Sequence, residues 1–80
     1  MTVSAFVGGS RGAIISVTRT DSVAQAVTLL AQRRIGCVPV VEDGVVLGIF
    51  SERDVVYGLE REGAPLLAKT VGEVMTTPPV

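Results

Sequence analysis

Eighty residues carrying seven Lys and Arg against eight Asp and Glu have a formal charge of −1, no basis for gripping nucleic acid or an anionic membrane. Trp is absent, with one Tyr and two Phe, so bases find no stacking platform, and no apolar run is long enough to span a bilayer. His is also absent, and one Cys without an imidazole cannot form a thiol–imidazole pair, so the chain is not expected to be an enzyme.

A chain of this size makes one domain and buries only about 60% of its unfolded surface, which leaves an isolated monomer marginal. It is nevertheless 48% hydrophobic with mean hydropathy +0.53. Apolar surface that does not fit inside one small core normally marks an interface. The economical partner is a second copy, giving an expected homodimer through apolar sheet and helix surfaces. The lone Cys37 excludes an internal disulfide and suits a reducing compartment, and no signal-peptide pattern is seen. The expected location is the cytoplasm.

In chain order, Thr2 to Val7 reads as a short apolar turn and Gly8 to Gly12 as a flexible, glycine-rich linker. Ala13 to Val17 reads as a first strand. Ser22 to Arg34 then reads as a helix whose apolar stripe is Val23, Ala26, Val27, Leu30 and Ala31. Thr20, Asp21 or Ser22 can cap its start, Arg33 and Arg34 complement its C-terminal dipole, and Gly36 is the expected stop. Leu29 lies off the stripe, either as an exposed Leu or as part of the partner-facing surface.

Cys37 to Glu42 reads as a second strand, with Cys37 a small buried hydrophobe. Pro39 cannot donate to a ladder, which makes this strand an edge there or locally irregular. Asp43-Gly44 is a two-residue hairpin turn. The crossover from Thr18 to Gly36 is long enough to make the first two strands parallel, with the third antiparallel to the second. After the second helix, Gly63-Ala64-Pro65 breaks the chain, and Thr70-Val71-Gly72-Glu73 opens another helical turn with a T-x-x-E capping box. Thr76 to Val80 ends extended. The pattern Thr-Val-x-x-apolar-apolar at 70–75 echoes residues 2–7, suggesting one full unit followed by the start of another.

The stretch from Val45 to Asp54 carries the chemistry. Val45 to Phe50 is an apolar run of the kind buried on both faces, and Gly48 within it marks close approach of a ligand or another backbone. Ser51 then opens a helix carrying Val55, Val56 and Leu59 at helical spacing. A strand running into a helix N-terminus presents free N–H groups suited to an anion such as phosphate. Two readings of Ser51 and Asp54 are compatible. They form a capping box, or Asp54 accepts hydrogen bonds from a diol while Ser51, Arg53 and the helix amides hold phosphate. The remaining carboxylates fall in turns and on helix faces, and no two are spaced as a metal site.

The residues Ile35-Gly36-Cys37-Val38-Pro39-Val40-Val41, the Asp43-Gly44 turn and Gly48-Ile49-Phe50-Ser51-Glu52-Arg53-Asp54 resemble a cystathionine beta-synthase (CBS) domain. Thr20 to Ala26 is similar to that family's helix opening, and Val71 to Val80 to the beginning of a second motif. The resemblance implies an α/β (α+β type) fold, β-α-β-β-α, with a small mixed three-stranded sheet and helices packed on one face. The divisions are a lead-in at 1–12, one CBS motif at 13–68, and at 69–80 a truncated second motif or C-terminal arm. It further implies a regulatory module working in pairs and binding AMP, ADP, ATP or S-adenosylmethionine, with no required cofactor. A purely structural dimerisation module is the alternative. By position, Asp54 meets the ribose hydroxyls, Ser51 lies near ribose or phosphate, and Arg53 reaches phosphate. Backbone at Val17, Thr18 and Thr20, and at Ile35, Gly36, Cys37, Val38 and Pro39, flanks the adenine.

Overall fold

In the computed structural model, which describes residues 15–78, the chain is built on one antiparallel hairpin, β1 (Cys37–Glu42) and β2 (Val45–Ser51). Asp43 and Gly44 close it, both with positive φ (53° and 79°), as a tight turn of this twist requires. Residues 1–14, which carry the expected lead-in, glycine-rich loop and first part of the first strand, lie outside the described residues, as do Pro79 and Val80.

Val38 pairs with Phe50 and Val40 with Gly48, and all four are buried on one face of the hairpin. Phe50 is the largest fully buried side chain. The opposite face carries Pro39, Val41, Leu47 and Ile49 half-buried, and Val45 and Val46 stand 58% and 45% exposed at the hairpin tip. β2 is therefore buried on one face, not both, among the described residues.

The expected first strand contributes a single parallel bridge among the described residues, Val17 to Val40. The Val17 N–H donates to Pro39 O at 3.1 Å, and the Val41 N–H donates to Val17 O at 2.9 Å. Proline explains why the pairing stops. The next donor toward the start of β1 on that side belongs to Pro39, which has no N–H. Beyond Val17 the chain turns away, the Thr18 N–H donating to Asp21 Oδ2 at 2.9 Å and the Asp21 N–H to Thr18 O at 3.1 Å. Among the described residues the sheet thus has two strands where three were expected, although the parallel sense of the first pairing holds. Pro39 is not on an open edge. Its strand lies between Val17 and β2, and it is irregular, with a bulge between Val40 and Val41.

Helix α1 (Val23–Arg33) is capped by Ser22, whose hydroxyl accepts the Gln25 N–H at 3.0 Å while Gln25 Oε1 accepts the Ser22 N–H at 3.0 Å. It ends at Arg34, not Gly36. Arg34 is left-handed (φ 56°), with its N–H to Ala31 O and the Ile35 N–H to Leu30 O, the bond pair of a Schellman motif. The motif places its left-handed residue by hydrogen bonding, and the glycine sits two residues too late to serve.

Leu29, expected off the apolar stripe, is buried together with Val23, Ala26 and Leu30, whereas Ala31 is exposed. The C-terminal segment turns the buried face this way. It comprises a 3₁₀ helix (Ala64–Ala68) and a short helix α3 (Val71–Val74), both packed on α1. The Val23 N–H donates to Lys69 O and the Val71 N–H to Asp21 O, each at 2.8 Å. The expected box at Thr70 is present, Glu73 Oε2 accepting the Thr70 N–H and hydroxyl.

Helix α2 (Glu52–Glu62) buries only Gly58, because a Cβ there would stand 2.6 Å from Leu66 Cδ1. Leu66 is itself fully buried, so the glycine is what lets the 3₁₀ helix lie against α2. Val56, Tyr57 and Leu59 face solvent. Gly63, at φ 74°, ends the helix, as the expected break requires.

Arg34 bears a left-handed penalty of about 1–2 kcal/mol, partly offset by the lower entropy of its unfolded state relative to glycine, about 0.5–1 kcal/mol. Arg34→Gly is expected to stabilise the domain by about 0.5–1 kcal/mol, read as a raised urea midpoint with unchanged slope.

Candidate functional site

The site grows out of the change from strand to helix at Ser51. Its extended backbone (φ −134°, ψ 167°) ends β2 and caps α2 at once. Asp54 Oδ2 accepts the Ser51 N–H at 2.9 Å and the Ser51 hydroxyl at 3.1 Å, and Ser51 Oγ accepts the Asp54 N–H at 3.3 Å. The capping box expected from the sequence is therefore formed, with Asp doing what Glu or Gln usually does. Asp54 Oδ1 faces the other way and accepts the Thr76 hydroxyl at 2.8 Å.

Thr76 is held there by the backbone. Its carbonyl accepts the Ile49 N–H at 3.0 Å and its N–H donates to Ile49 O at 2.8 Å. Gly48 makes room, since a Cβ at that position would stand 2.6 Å from Thr76 O. The close approach expected at Gly48 is thus made by the chain's own C-terminal arm.

Ser51, Ile49 and Thr76 border an open depression of about 560 Å³, within the range of small-molecule sites, while Asp54 itself is outside its lining. Gly36, Cys37, Ser51 and Arg53 line it, joined by Ile49, Glu52, Thr76 and Pro78. Cys37 is exposed here, not buried as expected, because the alternation of β1 sends Val38 into the core and its neighbours outward. The lining brings one cation, Arg53, beside one anion, Glu52. Helix amides are less available than a bare N-terminus would offer, for the Glu52 N–H donates to Gly36 O at 2.9 Å and the Asp54 N–H is taken by Ser51.

The other expected site residues lie apart. Val17 and Val38 are in the core, Ile35 packs against it, and Pro39 is half-buried in mid-strand. Thr18 and Thr20 line a second depression with Arg19, Val41, Glu42 and Asp43, at the far end of β1. The six residues of β1 span about 17 Å at roughly 3.3 Å each, so the two depressions are distinct. In the second, Arg19 Nε donates to Glu42 Oε1 at 2.7 Å, and this hydrogen bond, with the charge attraction behind it, raises the Arg19 pKa further. No cluster able to hold a metal ion occurs among the described residues.

Glu52, Ile49, Thr76 and Pro78 were not anticipated. Gly48 signalled that something would come close to β2. Nothing local signalled which residue, because Thr76 lies 22 positions from Asp54.

The family model for the CBS domain matches residues 10–61. The CBS domain-containing protein YhcV of Bacillus subtilis is 31% identical over 64 residues, covering 80% of this chain and 45% of YhcV. The crystal structure of the CBS-domain containing protein ATU1752 from Agrobacterium tumefaciens is similar at TM-score 0.80 and 40% identity, over 84% of this chain and 51% of that one. The CBS domain pair of protein MJ0100, in complex with 5′-methylthioadenosine and S-adenosyl-L-methionine, is similar at TM-score 0.69 and 25% identity, over 82% of this chain and 50% of that one. The chain spans about half the length of these relatives.

Gly48→Ala is expected to lift the arm off β2, at an overpacking cost of about 1–3 kcal/mol. Hydrogen exchange at the Ile49 amide, whose acceptor is Thr76 O, should accelerate; unchanged protection would show that the arm tolerates a Cβ.

Proposed function

The chain belongs to the CBS-domain family, and from that premise we propose that it is a regulatory module that binds an adenosine nucleotide and works as a dimer. CBS domains generally bind adenosine-containing ligands in regulatory roles. The observation that carries the reading to this chain is the placement of Asp54. Its carboxylate is held between two residues that line the depression, Ser51 on Oδ2 and Thr76 on Oδ1, and the depression is large enough for a nucleoside. A carboxylate so held accepts two vicinal hydroxyls, which is what a ribose offers. Arg53 is the lining cation available for a phosphate. AMP, ADP, ATP and S-adenosylmethionine all share the ribose that this reading requires.

The dimer reading rests on apolar surface. Val45, Val46, Val56, Tyr57 and Leu59 are each more than 40% exposed, apolar side chains at positions where a solvated helix or hairpin normally carries polar ones. Val56 and Leu59, three apart, share one face of α2. No described helix is long and apolar enough to cross a membrane, so a bilayer-spanning helix does not account for that surface. A second reading, a dimerisation module without ligand, is favoured by the donors that already fill both oxygens of Asp54.

Asp54→Ala separates the two. A carboxylate that only caps loses about 0.5–2 kcal/mol of stability on truncation and leaves ligand binding unchanged. One that holds a ribose loses charge-assisted bonds worth about 1.5–3 kcal/mol each, weakening adenosine nucleotides at least about tenfold. Titration calorimetry of the parent and Asp54→Ala with AMP, ATP and S-adenosylmethionine is expected to show that loss; equal dissociation constants would leave only the cap. Sedimentation velocity at micromolar concentration is expected to show a dimer, and a monomer at every concentration would remove that part of the proposal.

A further inference from the structure

Asp54 has two oxygens with separate tasks. Oδ2 takes both donors from Ser51 and is committed to holding β2 and α2 together. Oδ1 is the oxygen left for a ligand, and it is occupied by the Thr76 hydroxyl at 2.8 Å. A ribose diol docking on Oδ1 competes with that hydroxyl for the same oxygen. Thr76 is not a loose side chain that happens to lie near. Its backbone is pinned to Ile49 on both sides, and the missing Cβ of Gly48 is what lets it sit there.

We propose that the C-terminal arm is a latch on the ligand site: Thr76 competes with the ligand for Asp54 Oδ1, and binding releases it. This inference rests on the adenosine-binding reading above. Its consequence is reciprocal, because two occupants that exclude each other from one oxygen must weaken each other by the same factor. A ligand that takes Oδ1 loosens the arm, and an arm that docks well lowers affinity for the ligand. Binding is thereby converted into a change in how the segment at 75–78 is held. The ordering of the arm is then the signal that the site emits.

The size of the effect follows from the population of the closed latch. If Oδ1 is occupied about nine-tenths of the time, the apparent dissociation constant is about tenfold weaker than for an open site. That corresponds to about 1.4 kcal/mol. Thr76→Val removes the hydroxyl while keeping the β-branched shape suited to an extended segment.

The test is titration of the parent chain, Thr76→Val and Thr76→Ser with 5′-AMP by calorimetry, with hydrogen exchange at the Ile49 amide followed in the parent. Thr76→Val is expected to bind 5′-AMP about tenfold more tightly than the parent, and Thr76→Ser, which retains a hydroxyl, to lose most of that gain. Addition of 5′-AMP to the parent is expected to accelerate exchange at Ile49. Parent binding that is unchanged or weakened in Thr76→Val, or slower exchange at Ile49 on binding, overturns the latch and leaves the adenosine site standing. Absence of 5′-AMP binding in all three chains overturns the adenosine reading and the latch together.

Discussion

The carboxylate of Asp54 is the point at which the sheet, the second helix and the C-terminal arm are tied together. Three elements converge on it: the end of β2 through the Ser51 N–H and hydroxyl, the first turn of α2 through its own backbone, and the arm through Thr76. The charge is what makes this arrangement favourable. A carboxylate accepts several donors at once, and each bond to an ionised acceptor is roughly twice as strong as a neutral one. It also sits in the first turn of a helix, where the dipole favours negative charge. Function and folding therefore draw on one group, and a ligand at this site must compete with contacts that already stabilise the fold.

Features governed by neighbours in sequence could be read directly. The limits of β1, the turn at Asp43-Gly44, the cap at Ser51, the break at Gly63 and the box at Thr70 all depend on residues within four positions of one another. Gly48 was informative for a different reason, because a residue without a side chain reports a neighbour without naming it.

Much of what escaped the sequence was set by distant segments, and the rest by local hydrogen bonding that overrode residue preference. Leu29 is buried by the chain returning at 64–74, so a helical stripe drawn from α1 alone misses it. Arg34 rather than Gly36 ends the helix because the Schellman bonds fix the position, overriding residue preference. The reduction of the first strand to one bridge among the described residues is foreshadowed by Pro39, whose lost N–H suggests an edge position for its own strand. It acts instead on the partner of that edge, limiting Val17 to a single bridge. Of the residues expected at the site, those flanking Ser51 and Cys37 came together, while Thr18 and Thr20 lie at the other end of β1.

The bridges at the two margins of the hairpin govern how copies of the domain can add to one another. A sheet with free margins invites strand after strand to join without limit, the route by which small β structures polymerise. Here one margin is met by Val17 and interrupted at Pro39, and the other is met by Thr76. An incoming strand finds a gap in the row of donors on one side and an occupied carbonyl and amide at Ile49 on the other. Growth in the plane of the sheet is hindered at both described margins. A hairpin rich in exposed valines is thereby kept from serving as an open-ended template along its described margins.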